Sequence, residues 1–405
     1  MTPSTPRPAD AVLRQGIRRH GEQTAVPCWF MRGGTSRGPF FRAGDLPAET
    51  AARDAVLLAA LGSPDPRQVD GLGGAHPLTS KAGIVGPSQL PDVDLEFRFA
   101  QLQPDSDVVD TTPNCGNMLA AVVPFALEAG LLAARGETTT ARVRTLNTGL
   151  TADITVRTPL GPDGRYVAYE GEARIDGVPG TAAPVSVGFL DTEGSVCTAL
   201  LPTGHVRDRV EVEGLGPVDV TCIDNGMPLV LVPATALGRT GYEPAAELTA
   251  DAELRTHLER LRLACGRRMG LGDVADLNYP KMTLTAPPAE GGAVATRSFI
   301  PHVCHASIGV LAAVTVATAC VLDGTVAHEV ATLPAAEPQE GGGFATTVSV
   351  EHPSGEFSVA LGLDADRRTV TRSALLRTAR LIMAGEVMVP AAASPAPHDH
   401  QEDQR

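Results

Sequence analysis

The sequence predicts an α+β fold with two similar domains, each a curved, mostly antiparallel β-sheet wrapped around a central apolar helix. The chain has 405 residues, enough for two domains of ordinary size. Short strand and turn patterns dominate both halves, and each half contains one helix pattern that is apolar almost all round, at residues 118–132 and 308–322. A helix without a polar face is buried centrally rather than packed on a surface.

The first half alternates strand patterns with turn signals. Strands are predicted at residues 26–31, 40–41, 80–85, 93–102, 141–147, 153–158 and 166–173. Residues 49–61 predict a helix that ends at Gly62-Ser63-Pro64, and Pro113-Asn114 signals a turn just before the apolar helix. We place domain 1 at residues 23–187, after a flexible N-terminal extension at 1–22.

The second half partly repeats this pattern. Strands are predicted at residues 196–201, 218–223, 229–232, 281–286, 346–352 and 357–363, and helices at 251–269 and 308–322. We place domain 2 at residues 188–372. Residues 373–390 predict a C-terminal helix, with domain 1 as its expected packing partner, and 391–405 a disordered tail.

Composition excludes several classes of function. The net charge is -14, only 4% of residues are aromatic, and no block of Lys and Arg is present, which argues against a nucleic acid or a membrane as partner. The seven cysteines form no CxxC pair, which favours a reduced, cytoplasmic enzyme over a disulfide scaffold. An anionic substrate would need a local positive site. The oligomeric state is open, with a homodimer as the expectation.

Cys115, in Asn114-Cys115-Gly116-Asn117, is the first candidate for chemistry. If Asn114 caps the helix that follows, Cys115 lies in its first turn, where backbone N–H groups favour a thiolate and can bind a carboxylate. The alternative is a buried structural cysteine, the common state of a free thiol.

Lys81 is the second candidate, in a chain with only one other lysine, Lys281. It follows a Gly/Ser/Thr-containing loop and begins an apolar strand. It is either a solvated charge at a strand edge or a desolvated amine of lowered pKa that removes a proton. Similarly, Gly33-Gly34-Thr35-Ser36 is either an anion-binding turn or a plain tight turn. No HExxH, Walker A or dinucleotide motif is present, and His302, Cys304 and His305 lack further ligands for a metal site.

Ordered motifs over residues 24–388 resemble the PrpF-like isomerases of the diaminopimelate epimerase-like superfamily. They include Met31-Arg32-Gly33-Gly34-Thr35-Ser36, Thr79-Ser80-Lys81, Asn114-Cys115-Gly116-Asn117, Pro280-Lys281 and His352-Pro353-Ser354-Gly355. Residues 70–81 are most similar to the 4-oxalomesaconate tautomerase and isomerase group. Arg37 stands where the family usually has lysine, and residues 302–309 depart from its usual Thr-Gly-Ala.

The resemblance implies a cofactor-independent 1,3-proton shift in an unsaturated di- or tricarboxylate, at a site between the two domains. It implies Lys81 as base and Cys115 as acid/base partner, without a metal. The expected substrate-binding residues are Arg32, Thr35, Ser36, Thr79, Ser80, Asn114, Gly116, Asn117, Lys281, His302, Ser307, Gly309, His352 and Ser354. The alternatives are a 2-methylaconitate or aconitate isomerase, an amino-acid epimerase or racemase on the same fold, and an inactive binding protein.

Overall fold

The computed structural model describes residues 16, 18–190, 192–339, 342–366 and 369–393. The chain divides into two compact units. Unit 1 comprises Met1–Arg174, Gly180–Val187 and Arg377–Arg405, and unit 2 comprises Ile175–Pro179 and Gly188–Leu376. Within the described ranges, each helix is too short or too polar to cross a membrane.

Strands dominate both units. The strands are β1 (Arg18–His20), β2 (Gln23–Gly33), β3 (Ser36–Arg42), β4 (Lys81–Pro87), β5 (Leu95–Leu102), β6 (Val109–Asp110), β7 (Thr138–Thr145), β8 (Thr151–Arg157), β9 (Leu160–Gly161), β10 (Gly164–Arg165), β11 (Pro184–Phe189), β12 (Asp208–Val212), β13 (Gly216–Asp224), β14 (Pro228–Pro233), β15 (Lys281–Ala286), β16 (Val294–Ile300), β17 (Val303–Cys304), β18 (Glu337–Pro338), β19 (Phe344–His352), β20 (Gly355–Leu363) and β21 (Val370–Pro390). The α-helices are α1 (Thr50–Leu61), α2 (Gly116–Leu119), α3 (Val122–Glu128), α4 (Ala245–Ala250), α5 (Ala252–Arg268), α6 (Val310–Val321) and α7 (Val326–Val330).

Unit 1 wraps its sheet around the short helices α2 and α3. The strand order is β21-β2-β3-β4-β5-β7-β8, with β3–β4 and β5–β7 parallel and the other pairs antiparallel. Because β11 pairs with both β8 and β21, the eight strands close into a barrel-like ring. On α3, Phe125 is fully buried, with its ring centroid 5.2 Å from that of Trp29 and 5.5 Å from that of Phe40. The outer face of the sheet packs on α1 through Val26, Phe41 and their neighbours.

The predicted helix at residues 118–132 is divided in two. α2 ends at Leu119, and α3 begins at Val122. Pro124 explains the break, because proline has no N–H to donate to the carbonyl of residue 120 and its ring would clash with that carbonyl in a continuous helix. It is tolerated in the first turn of α3. The segment is central and apolar, as the sequence predicts, but it is not one helix.

Unit 2 has a comparable order of strands, β12-β13-β14-β15-β16-β19-β20, followed by the first part of β21. Helix α6 packs against β13, β14, β19 and β20, and nearly all of its side chains are buried. Helices α4 and α5 cover the other face through Leu248, Leu254, Leu258 and Leu261. The predicted helix at 251–269 is confirmed, with the Asp251 carboxylate accepting a hydrogen bond from the backbone N–H of Leu254.

The C-terminal segment corrects the sequence prediction. Residues 373–390 are not a helix but most of β21, which pairs with β20 and then with β2. The helix-forming residues of this segment suggest a helix, but strands that supply hydrogen bonds override such propensity. Three smaller predictions are also wrong: 166–173 and 196–201 are not strands, and Arg18–His20 forms β1 rather than part of a flexible extension. Residues 391–393 form a 3₁₀ turn, while 1–15, 17 and 394–405 lie outside the described residues.

Candidate active site

The segment from Gly33 to Gly38, which comprises the end of β2, the turn after it and the start of β3, packs directly on both predicted catalytic motifs. A Cβ atom at Gly33 would overlap the backbone carbonyl of Asn117, and one at Gly34 would overlap its side-chain amide. A Cβ atom at Gly38 would overlap the carbonyl oxygen of Lys81. Gly34 also has φ 53°, a left-handed conformation that favours glycine. This segment therefore contacts both the lysine motif and the cysteine motif so closely that side chains at the three glycines would not fit.

Lys81 begins β4 and is only 7% exposed. Its Nζ donates a hydrogen bond to Oε1 of Gln101 at 2.6 Å and lies 4.9 Å from the ring centroid of Phe99. Within the described part of the chain, Lys81 forms no ion pair. The amine is thus buried and held by a neutral amide, which rules out the solvated strand-edge charge.

The sequence prediction missed Gln101. It lies directly opposite Lys81 in the antiparallel β4–β5 pair, so the two side chains share a face of the sheet. Its Nε2 donates to the backbone carbonyls of Pro77, Ser80 and Leu102 at 3.1, 3.2 and 2.9 Å. Both strands were predicted, but only the register of their pairing identifies this neighbour, and composition gives no such signal.

Cys115 is the least buried of the seven cysteines, all of which the structure describes as free. Burial raises the pKa of Cys28 and Cys320 to about 12 and that of Cys304 to about 11, which keeps those thiols protonated. Cys115 instead lies in extended conformation at the N-cap of α2, and its carbonyl accepts from the N–H of Leu119 at 2.9 Å. It is therefore the cysteine best placed to react.

The neighbours of Cys115 differ from the prediction. Asn114 does not cap the helix, because its side chain donates to the hydroxyl of Thr148. Cys115 itself occupies the N-cap, so the thiol lies just before the first turn rather than in it. Nδ2 of Asn117 donates to Oγ1 of Thr35 at 3.0 Å, which joins α2 to the glycine-rich turn.

Thr79 and Ser80 order the loop that leads into β4. Oγ1 of Thr79 donates to the carbonyl of His76 at 3.1 Å. The hydroxyl of Ser80 is close to two acceptors, Oε1 of Gln68 at 2.7 Å and the carbonyl of His76 at 2.9 Å. Both hydroxyls thus have partners within the loop. Gln68, also missed from the sequence, accepts from the N–H of Ala75 as well.

Arg32 supports the glycine-rich turn. Its Nη1 donates to the carbonyls of Gly34 and Thr378 and to the hydroxyl of Thr378, at 2.9, 3.2 and 2.9 Å. Burial and, to a smaller extent, the charge of the opposite Arg380 lower the pKa of Arg32. The hydroxyl of Ser36, by contrast, is buried and has no hydrogen-bond partner among the described residues.

In unit 2, Lys281 begins β15 near the start of α6. A Cβ atom at Gly309, the N-cap of α6, would lie 3.8 Å from Nζ of Lys281. Burial lowers the pKa of Lys281, whose amine has no hydrogen bond or ion pair to the described residues. A cation beside the positive end of a 12-residue helix is suited to an anionic ligand.

His352 joins the loop before α6 to the β19–β20 turn. Its Nδ1 accepts from the N–H of Ser354 at 3.2 Å, and its Nε2 lies 3.3 Å from Oγ of Ser307. The hydroxyl of Ser354 donates to the carbonyl of Ala306. Since Nδ1 accepts, the neutral imidazole carries its proton on Nε2 and can donate it to Ser307.

His302 does not belong to this cluster. It is exposed, and its Nδ1 lies 3.8 Å from Oε2 of Glu259, which holds the buried Arg262. Within the described ranges, His, Cys, Asp and Glu side chains form no group of three or more that could hold a metal ion.

Comparisons with known proteins identify relatives along nearly the whole chain. Residues 23–390 match the family model described as PrpF protein. The (4E)-oxalomesaconate Delta-isomerase of Novosphingobium sp. (strain KA1) is 52% identical over 372 residues, covering 92% of this chain and 99% of its own length. The 4-oxalomesaconate tautomerase of Pseudomonas putida is 52% identical over 367 residues, covering 91% and 97%. The crystal structure of a methylitaconate-delta-isomerase superposes with a TM-score of 0.80 at 33% identity, covering 93% of this chain and 99% of that chain.

Proposed function

The chain belongs to the PrpF family and is an isomerase, and on this premise we propose that its substrate is 4-oxalomesaconate or a closely similar unsaturated tricarboxylate. The observation that carries the proposal is the buried Lys81 on a neutral partner, next to the turn that also contacts the Cys115 motif. Two relatives named for oxalomesaconate share half of their residues with this chain over nine tenths of its length.

The proposed reaction is an allylic 1,3-proton shift. Lys81, in its amine form, removes the proton from a carbon beside the double bond: the C–H bond breaks, an N–H bond forms, and the electron pair spreads over the allylic system into a carboxylate or keto group. The double bond then migrates as a proton is added at the far carbon. That proton comes from the thiol of Cys115 or from the ammonium of Lys81. If Cys115 supplies it, the ammonium proton replaces the one lost from the thiol, so the enzyme is regenerated unchanged.

The charge that develops on the substrate needs donors. Gly116 and Asn117 begin α2, and the first N–H groups of a helix have no intrahelical acceptor. They are our candidates for stabilising the dienolate in unit 1, together with the unpartnered hydroxyl of Ser36. In unit 2, Lys281 and the start of α6 are the candidates for a further carboxylate. The interdomain position of the site stays a prediction from the sequence.

A substrate panel followed by NMR in deuterated water tests the proposal. It contains 4-oxalomesaconate, 2-methylaconitate, aconitate and 3-methylitaconate. We expect 4-oxalomesaconate to react fastest, with a shifted double bond and deuterium at the newly protonated carbon. Faster turnover of methylaconitate or methylitaconate would replace the substrate assignment. Inversion of an amino acid with deuterium uptake, and no reaction of the unsaturated acids, would favour the epimerase alternative.

Lys81→Met tests the base. The variant keeps a long side chain but has no amine, so we expect it to fold and to lose at least roughly a hundredfold in kcat/KM, the usual contribution of a general base. Near-normal turnover by the folded variant would refute the mechanism while leaving the substrate assignment intact.

A further inference from the structure

Lys81 and Gln101 form the contact that carries one further inference, which rests on the proposed role of Lys81 as base. The two residues face each other in the β4–β5 pair, and Nζ is 2.6 Å from Oε1. A side-chain amide can turn either its oxygen or its nitrogen towards a neighbour, and the nitrogen would offer a lysine only donors. The orientation of the Gln101 amide therefore determines whether Lys81 contacts a hydrogen-bond acceptor or a donor.

Three backbone carbonyls fix this orientation. Nε2 donates towards Pro77, Ser80 and Leu102, all within 3.2 Å. If the amide were flipped, its oxygen would face and repel three carbonyl oxygens. Its N–H groups would face Lys81, where they would repel the ammonium form or occupy the lone pair that the amine form needs as a base. The carbonyls of Pro77, Ser80 and Leu102 thus hold the amide with Oε1 directed towards Lys81.

Gln101 also separates Lys81 from a carboxylate. On its other side, β5 pairs with β6, and Asp110 lies directly opposite Gln101. The Asp110 carboxylate is engaged locally, since Oδ1 accepts from the N–H and the hydroxyl of Thr112 at 2.9 and 2.7 Å. Lys81, Gln101 and Asp110 therefore form a row across three strands, with a neutral amide in the middle.

A neutral acceptor at this position suits a base. A carboxylate in contact with Lys81 would stabilise the ammonium and oppose the amine form that can take a proton. An apolar residue would offer the amine no hydrogen-bond acceptor to fix its position. Displacement of a catalytic group by about 1 Å can cost on the order of 100-fold in rate. The ring of Phe99, 4.9 Å from Nζ, limits movement on a second side.

We propose that Gln101 is the positioning residue of the catalytic lysine: its amide aims the Lys81 amine while keeping a negative charge away from it. The other titratable groups on the strands packed around Lys81 are Arg37 and Arg42 on β3, Glu96 and Arg98 on β5 and Asp110 on β6, and the loop before β4 carries His76. The proposed partner Cys115 is titratable as well. All of these groups are unchanged in the variants below.

Gln101→Glu gives the sharper readout. The side chain keeps its length and gains one negative charge beside Lys81. We expect the acid limb of the kcat/KM–pH profile to move upward by roughly one to three pH units, the effect of an opposite charge at this range. Activity lost near neutral pH should return as the pH is raised. Gln103→Glu, just after β5 on an exposed side chain, adds the same charge and should leave the profile of the wild-type protein unchanged.

Gln101→Met removes the acceptor without adding charge. We expect kcat to fall about 100-fold with little change in KM, since the base and not the binding of substrate is disturbed. Thermal unfolding establishes that both variants are folded. A Gln101→Met protein that fails to fold counts against the proposal, because the amide would then serve the fold.

The outcomes separate this inference from the proposed function. An active Lys81→Met protein would show that Lys81 is not the base, and it would refute both proposals about this contact. If Lys81→Met is inactive but Gln101→Glu has the wild-type pH profile, only the proposed role of Gln101 is refuted. The same conclusion follows if Gln101→Met has the wild-type kcat.

Discussion

Gly38→Ala is the prediction that most directly connects the fold to the chemistry. Gly38 lies on β3, and the added Cβ atom would overlap the carbonyl oxygen of Lys81 on the neighbouring strand. Real Cβ atoms essentially never come closer than 3.0 Å to another heavy atom, so β3 and β4 would have to separate by roughly 1 Å. Backbone cannot rotate out of the way as a flexible side chain can.

This displacement has two expected consequences. Overpacking of this kind costs about 1–3 kcal/mol of stability, which thermal or urea unfolding detects. Because the backbone that moves is that of Lys81, kcat should also fall on the order of 100-fold, with a smaller effect on KM. The isomerisation can be followed by NMR or by the change in ultraviolet absorbance that accompanies migration of the double bond.

Gly44→Ala is the matched control. Gly44 follows β3, and a Cβ atom there would meet nothing within 4 Å. This variant should keep both the stability and the kcat of the wild-type protein. A Gly38→Ala protein with wild-type kcat and wild-type stability would refute the argument that close packing at Gly38 positions Lys81.

Two further predictions concern the proposed acid/base partner and the second lysine. If the Cys115 thiol returns the proton, Cys115→Ser should slow isomerisation far more than exchange of the abstracted proton with deuterated solvent, as measured by NMR; equal slowing of both would assign the return to Lys81. If the Lys281 ammonium binds a substrate carboxylate, KM should rise as the pH rises through its lowered pKa, because the neutral amine no longer attracts the anion. Lys281→Met should have a raised KM without that dependence, and an unchanged KM would exclude the contact.

The sequence predicts most of the helices and strands, but not how the C-terminal strand pairs or where the first apolar helix is interrupted. Most residues of the apolar segments 118–132 and 308–322 are buried in the two units as predicted, because a segment without a polar face has no stable position at a surface. Pro124 is visible in the sequence, yet its effect depends on where the helix begins. β21 could not be predicted from its own residues, because its hydrogen-bond partners are two other strands. One is β20, about ten residues earlier in the chain, and the other is β2, more than three hundred residues earlier.

The candidate site shows the same division. Lys81 and Cys115 are conspicuous because lysine is scarce and Asn-Cys-Gly-Asn precedes an apolar segment. Gln101 is a polar residue near the end of a predicted strand, and only the register of β4 and β5 places it against Lys81. Asn114 was wrongly expected to cap α2, because a capping residue type does not reveal that Thr148 competes for its side chain.

The glycine-rich turn can now be explained by close packing. From the sequence it was either an anion-binding turn or a plain tight turn, and either function needs only the conformational freedom of one or two glycines. Gly33 and Gly38 have ordinary backbone conformations, yet each lies against backbone that a Cβ atom would displace: that of Asn117 in the first case and that of Lys81 in the second. The backbone conformations of Gly33 and Gly38 would accept other residues. Glycine is required at both positions because neighbouring backbone leaves no space for a Cβ atom. The segment from Gly33 to Gly38 therefore fixes the backbone next to both motifs, and substitution of Gly33 or Gly38 should affect kcat before it affects substrate affinity.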